Sequence, residues 1–236
     1  VTWEKATKIN VGLDAGFFKD QLHAYVDFFW EDRKDILVSN ASTLPAITSL
    51  PANYVNEGRV KNHGFEVTLN WEQKFGDFRY SISPNFAFAR NQVIEMLEVP
   101  PMYEYLSRTG LPVGQPFGYD LFEFYEQGAT EERYFEKYGV EMPDQNVALK
   151  NGDAVYVDLN GDGIVDQNDQ KPLGYTDNPE ITYSVNFNFQ WKGLDFTMLW
   201  IGADHVSRQL NGYFRDQFGS TNTSALTQWV ADNSWT

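Results

Sequence analysis

Cysteine is absent from the 236 residues. That removes disulfides, zinc–thiolate sites and a thiol nucleophile together. It leaves the compartment open, because a chain this long can fold without staples anywhere. Cations are scarce: 18 Lys and Arg stand against 33 Asp and Glu, a formal charge of −15. Phosphate neutralisation needs clustered Lys and Arg, so a nucleic-acid backbone binder is excluded. A polybasic grip on an anionic membrane surface is disfavoured for the same reason. The three histidines, His23, His63 and His205, are too scattered to form a ligand pair or triad. No run of about 18 apolar residues occurs, so no membrane-spanning helix is expected. Val1-Thr2-Trp3-Glu4-Lys5 has neither an initiator Met nor a signal-peptide layout. Asn233-Ser234-Trp235-Thr236 brings no turn or cap, and both ends read as cuts through a longer protein.

Aromatic residues are plentiful, at 16%, and much of the chain alternates with period two, the mark of a strand with two different faces. The apolar sets are Ile9, Val11, Leu13, Ala15 and Phe17, then Leu22, Ala24, Val26, Phe28 and Trp30. A third set is Phe65, Val67, Leu69 and Trp71, and a fourth Tyr80, Ile82, Pro84, Phe86 and Phe88. The cleanest is Ile181, Tyr183, Val185, Phe187, Phe189 and Trp191, set against Thr182, Ser184, Asn186, Asn188 and Gln190. Residues 196–201 alternate more weakly. The fold class is all-β: six long antiparallel strands in three hairpins.

Two architectures accommodate this pattern. One is a soluble sandwich with one wet face, a calcium-stabilised, carbohydrate-binding module. The other is a stretch of a transmembrane β-barrel, whose alternation also explains a mean hydropathy of only −0.47. Strands of soluble domains run to about five or six residues. Alternation here persists for about nine to eleven, the length that crosses a bilayer at a tilt. Connections within hairpins are short, while residues 38–62 and 97–179 form long excursions, the lopsided pattern of outer-membrane barrels. Trp3, Phe17, Trp30, Trp71 and Trp191 near strand ends suit interfacial girdles. Pro84 removes a ladder hydrogen bond, so a bulge or local edge is expected there. Six strands leave open edges that lipid does not tolerate, so the barrel reading requires a larger wall.

Residues 158–169 read Asp-Leu-Asn-Gly-Asp-Gly-Ile-Val-Asp-Gln-Asn-Asp, close to the calcium loop of EF-hands. Asp158, Asn160 and Asp162 offer side-chain oxygens at alternate positions, and Gly163 permits the sharp turn. Ile164 offers its carbonyl, Asp166 a direct or water-mediated contact, and Asp169 the position of the usual bidentate Glu. The competing interpretation is that Asn160-Gly161 and Asp162-Gly163 are simply strong turn dipeptides. Neither flank looks helical, so a structural calcium clip is expected rather than a sensor. The 97–179 segment also carries Tyr103, Tyr105, Phe117, Tyr119, Phe122, Phe124, Tyr125, Tyr134, Phe135 and Tyr138. These suit sugar stacking, a lid's seat or the loop's own core, of which the last is the commonest use. Glu126, Glu131, Glu132 and Glu136 among them read as a solvated charge run, and no catalytic constellation is found.

Several segments, in order, resemble the SusC/RagA type of TonB-dependent outer-membrane transporter. They are Trp3-Glu4-Lys5-Ala6-Thr7 with Asn10-Val11-Gly12-Leu13-Asp14, then Tyr25-Val26-Asp27-Phe28-Phe29 with Asp35-Ile36-Leu37. Next come Asn56-Glu57-Gly58 with Asn62-His63-Gly64-Phe65-Glu66, and Gly114-Gln115-Pro116-Phe117-Gly118-Tyr119. Tyr156-Val157-Asp158-Leu159-Asn160-Gly161-Asp162-Gly163 and the closing Ser234-Trp235-Thr236 complete the set. His63 departs from the family's commoner small or polar residue, and residues 129–152 match no motif. The resemblance implies a barrel of about 22 strands with long extracellular loops, in the outer membrane of a Gram-negative bacterium. It implies an N-terminal plug coupled to TonB, a SusD-like surface lipoprotein as lid, and oligosaccharide or, in some members, peptide cargo. Residues 1–236 would then be part of the C-terminal half of the barrel, 97–179 an extracellular loop region, and the protein no enzyme. A barrel serving iron chelates is a further alternative.

Overall fold

The computed structural model describes residues 2–41, 53–210 and 228–233. The Ser234-Trp235-Thr236 motif lies outside the described residues. The chain divides into two compact units: Val1–Pro101, Ser107–Gln115 and Gly174–Ser207 make one, and Met102–Leu106, Pro116–Leu173 and Arg208–Thr236 the other.

The first unit is one antiparallel sheet. It contains β1 (Lys5–Phe17), β2 (Leu22–Ser39), β3 (Tyr54–Phe75), β4 (Phe78–Glu95), β9 (Ile181–Trp191) and β10 (Leu194–Asp204). The intervening numbers belong to the second unit. Spatial order follows chain order, with β1 and β10 at the edges. The three expected hairpins are present and all three tight turns lie at one rim. In one, Lys192 and Gly193 both take positive φ (46° and 88°), the type I′ geometry that matches strand twist. In another, Gly76 takes φ 58° at the first central position, where a II′ turn requires glycine. The first hairpin turns instead through Phe18, Lys19 and Asp20, three successive non-glycine residues at φ 53–65°.

Period-two alternation sorts the sheet into two faces. Pairing aligns Phe17, Leu22, Trp71, Ile82, Phe187 and Met198 in one cross-strand row, and Ile9, Trp30 and His63 in another. Between those rows the apolar face is continuous, yet none of the described residues of this unit covers it. Phe28 and Trp30 are each 57% exposed, and the described residues of the unit form no second sheet. The opposite face carries the intervening polar residues.

Two expectations are corrected and a third is narrowed. The strands run well past the alternating stretch: β2 has 18 residues, β3 22 and β4 18. The excursion expected over 38–62 is therefore only the span between Ser39 and Tyr54. Beyond Trp30 and His63 charged and amide residues enter both faces and the apolar ones, such as Ile36, Leu37 and Val38, no longer alternate, so pairing continues where hydrophobic periodicity has stopped. The structure has the local edge, and not the bulge, of the two outcomes expected at Pro84. The β3–β4 register is the same on both sides of it, but the pairs from Thr68↔Asn85 to Trp71↔Ile82 are interrupted, while Pro84↔Val185 is kept on the β9 side. Losing one donor on one side opens the ladder locally without adding a residue. The 97–179 excursion, finally, is not structureless.

Its larger part forms the second unit, with β5 (Phe117–Tyr119) paired to β8 (Gln170–Pro172) and β6 (Leu121–Phe124) to β7 (Ala154–Tyr156). A helix, α1 (Ala129–Tyr138), lies between these pairs, in the stretch that matched no motif. Glu131 and Glu132 occupy its first turn, Lys137 its last, and Gly139 closes it at φ 73° with its N–H on the Phe135 carbonyl. That is the usual charge order and left-handed cap of a helix. A second short helix, α2, covers Gln228–Asp232. Val155 (0% exposed), Tyr134 (2%), Val157 and Val165 form the core of this unit. The Phe122 and Tyr138 rings close on Tyr134 at 4.9 and 4.7 Å.

Candidate functional site

In the second unit the acidic loop is wired to its own backbone. Both Asp158 carboxylate oxygens accept N–H bonds, from Gly161 (2.6 Å) and Gly163 (2.8 Å). Asn160 Oδ1 accepts from Asp162 N (2.8 Å) and Asp162 Oδ1 from Ile164 N (3.0 Å). Asp166 caps the single 3-10 turn Gln167–Asp169 through Asn168 N (2.7 Å). Asp169 is fully buried and acts as the hub: Oδ1 accepts from Leu159 N (2.8 Å) and Asn160 N (3.3 Å), Oδ2 from Asp166 N (2.8 Å). Tyr105 donates to the Asn168 carbonyl (2.7 Å), and burial pushes its phenol up from the ordinary value. The flanks are strands β7 and β8, as expected for a loop without EF-hand helices.

The donors are hard oxygens, as calcium requires. Among the described residues, however, no three His, Cys, Asp or Glu side chains converge as a metal cage. The loop closes by satisfying its own N–H groups. Asp158, Asp162, Asp166 and Asp169 still have no ion-pair partner among the described residues.

The aromatic cluster is largely spent on packing. Tyr103 and Tyr105 stack at 5.4 Å, Tyr119 lies 5.3 Å from Tyr156, and Phe122, Tyr134 and Tyr138 form the core described above. Phe124, Phe135 and Tyr138 retain exposed faces. Glu131 is no free charge: Tyr125 donates to it at 2.6 Å, and that bond first of all holds its carboxyl below the usual range.

In the first unit the polar face is built from cross-strand contacts. Along β4 from Ser81 to Ala87 and along β9 from Thr182 to Gln190 it is uncharged: Asn85 donates to Thr68 Oγ1 (2.7 Å), Asn188 to Ser81 Oγ (3.1 Å) and Thr197 to Asn188 Oδ1 (2.9 Å). Glu66 and Glu72 of β3, Arg79 of β4 and Asp195 of β10 put charges on the same face around that run. Toward the rim of the long connections, Lys8, Glu31, Asn62 and Asn91 stand in one row across β1–β4. A cavity of about 310 Å³ opens over the Glu31–Asn62–Asn91 part of that row, walled by Arg33, Asn178 and Glu180 among others. Glu180, 11% exposed, takes a bidentate bond from Arg90 (2.8 and 2.6 Å) and lies 3.1 Å from His205 Nδ1. The Arg90 guanidinium foremost holds its carboxyl below the usual range. Near the end of β4, Glu98 gathers Arg108 N (2.7 Å), Thr109 N (2.8 Å) and Thr109 Oγ1 (2.7 Å). Burial pushes the Glu98 carboxyl up, but these donors outweigh it and the net displacement is downward.

Sequence reasoning missed Asn62, Glu98 and the Glu180–Arg90 pair. Arg90 and Glu180 are 90 positions apart, and no local pattern marks such a contact. Helix α1 did leave a signal, in its Glu-first, Lys-last charge order and closing glycine.

An uncovered apolar face, a hydrogen-bonded polar face and tight turns at one rim together define the wall of a membrane β-barrel. The chain belongs to the family described as TonB dependent receptor-like, beta-barrel, whose model matches residues 1–119, just over half of the chain. It is 24% identical to the TonB-dependent receptor SusC of Bacteroides thetaiotaomicron over 247 residues, covering 98% of this chain and 22% of that protein. A TonB-dependent receptor of Formosa agariphila is 23% identical over 244 residues, covering 99% and 24%. The chain thus spans about a quarter of the length of the curated relatives it matches. Among solved structures, the RagAB peptide transporter aligns with a TM-score of 0.59 at 22% identity, over 85% of this chain and 21% of that one. Its closed-closed state, described as a peptide importer, gives 0.58 at 21%. The six strands are therefore part of an outer-membrane barrel of a Gram-negative bacterium. Their apolar face meets lipid and their polar face the lumen. On β4 the apolar face runs over eleven residues and so ten rises, Phe78 to Phe88. That is about 34 Å of strand, or about 26 Å of height at a tilt of about 40°, against an apolar band of about 25 Å in such barrels.

Proposed function

We propose that this chain is the wall and outer-rim part of a TonB-energised transporter that imports an oligomeric nutrient, an oligosaccharide, with a SusD-like surface lipoprotein as its lid. The uncharged amide and hydroxyl run of β4 and β9, Ser81 to Ala87 and Thr182 to Gln190, carries this reading. A neutral ligand rich in hydroxyls exchanges hydrogen bonds with such a surface without leaving a charge unpaired. Short turns belong to the periplasmic rim in these barrels, which puts residues 97–179 on the extracellular side. No catalysis is assigned to the chain.

The test is growth of the parent organism on defined polysaccharides with the gene deleted. Loss of growth on one neutral glycan, with growth on peptides unchanged, is the expected result. Loss on peptides alone would transfer the assignment to peptide import, and loss on iron-chelate medium alone would transfer it to iron uptake.

Calcium at 158–169 belongs to the same reading as a structural clip. Ligand spacing supports it, as do four carboxylates with no cationic partner among the described residues. Binding would have to draw the Asp158, Asn160 and Asp162 oxygens together. Calorimetric calcium uptake by the intact protein, with slower proteolysis of the loop, is expected; no uptake would end this part of the proposal.

A further inference from the structure

The cavity over Glu31, Asn62 and Asn91 has features of a binding site rather than a gap in packing. Its volume, about 310 Å³, is at the small end of pockets that hold small molecules. It sits on the lumen face, and Val60 and Pro179 give it aliphatic patches beside its polar groups.

Its electrostatics select the ligand. Both carboxylates in the wall are already engaged. Glu31 takes Arg33 Nε at 3.0 Å and a second Arg33 nitrogen at 2.8 Å, with Lys8 at 3.3 Å. Glu180 takes Arg90 and His205 as above. A cationic ligand would have to compete with those guanidinium groups, and an anionic one would find no unpaired cation among the described residues of the wall. Two amides are also in use: Asn91 Oδ1 accepts from Val113 N (2.7 Å), and Asn178 donates to Asp177 (3.3 Å). Asn62 is different. Half-buried at the centre of the row, its side chain has no hydrogen-bond partner among the described residues. It presents two donors and one acceptor to the cavity. No aromatic ring among the described residues lines the wall, so recognition here works by hydrogen bonds rather than stacking.

We propose that this cavity is a subsite for one neutral, hydroxyl-bearing unit of the cargo, a single sugar ring, with the Asn62 amide as its specificity-determining contact. The inference rests on the import reading above and adds to it a place on the barrel wall and a residue. A hydroxyl both donates and accepts, which matches an amide flanked by carboxylate and guanidinium groups that are satisfied but keep spare hydrogen-bonding capacity. A peptide offers backbone N–H and C=O groups that would seek a free strand edge; β2 and β3 are paired on both sides, and beyond Phe88 the outer edge of β4 is bonded to the Glu180, Gly110 and Leu111 backbone.

The experiment uses the intact transporter in detergent, titrated calorimetrically with neutral hexasaccharides of glucose, mannose and xylose and with hexa-alanine. Wild type, Asn62→Leu and Asn62→Ser are compared, and heat-modifiable gel migration confirms that each barrel is folded. One hexasaccharide should bind with an affinity unchanged between low and high salt, as an uncharged ligand requires. Asn62→Leu should weaken it about tenfold, the equivalent of one lost hydrogen bond of about 1.4 kcal/mol, and Asn62→Ser should weaken it less. Saccharide binding that Asn62→Leu leaves unchanged would overturn the subsite but not the import reading. Hexa-alanine binding without saccharide binding, or no binding by any probe, would overturn both. Binding that falls steeply with salt would overturn the neutral-ligand assignment.

Discussion

The two units use the same kinds of side chain in opposite senses. In the sheet, Val, Ile, Phe and Trp face outward and stay exposed; of the residues buried in the described structure, only Val93 is a sheet hydrophobe. In the loop unit, Val155, Val157, Val165 and Tyr134 turn inward around a small core. The solvent explains the difference. A strand beside lipid gains nothing by hiding apolar side chains and must satisfy its backbone through the ladder. A segment in water must bury them. Cohesion in the sheet therefore comes from pairing, and in the loop unit from a core plus one buried carboxylate.

Substitutions can break this contrast, and the largest effect is expected at Asp169. Asp169→Ala removes the acceptor of three backbone N–H bonds, and unsatisfied buried groups cost about 1–3 kcal/mol each. The loop unit should lose about 4 kcal/mol, seen as rapid proteolysis within 116–173, while the barrel keeps its heat-modifiable gel mobility. Next in size is Val26→Arg, at the middle of the apolar band on β2. It should cost about 2–4 kcal/mol in lipid, whereas Asp27→Ala beside it should stay within about 0.5 kcal/mol. Chemical unfolding from bilayers measures both, and equal effects would erase the distinction between faces.

A smaller effect sharpens the contrast through pH. Glu98 has its carboxyl below the ordinary 4.5 when folded, so its contribution is complete above the unfolded value. It is lost as pH falls through the folded one. Protease access to residues 96–110 should thus rise in acid, and Glu98→Gln should flatten that profile. The smallest effect has the opposite sign. Asp20→Gly relieves one left-handed residue of the first hairpin turn and should stabilise by about 1 kcal/mol, measured as a rise in unfolding midpoint.

How much was legible follows the same division. The sheet's faces, hairpins and membrane setting could be read because alternation is enforced wherever lipid and lumen lie on opposite sides. The strand ends past Trp30 and His63 could not, since pairing there joins residues with no hydrophobic period. In the acidic loop, the turn chemistry of Asn160-Gly161 and Asp162-Gly163 was visible. The role of Asp169 as a buried hub was not, because it depends on N–H groups from both ends of the loop. Asn62 and Glu180 were invisible, since β3 and the entry to β9 approach only through the intervening β4.

The central claim is that neighbouring residues of one strand face different solvents. Single cysteines at Val26 and Asp27 in the intact protein, spin-labelled in liposomes, test it most directly. The label at 26 should collide with oxygen dissolved in lipid and be shielded from a water-soluble nickel chelate, and the label at 27 should show the reverse. The same accessibility at both positions, or the pattern inverted, would contradict the account.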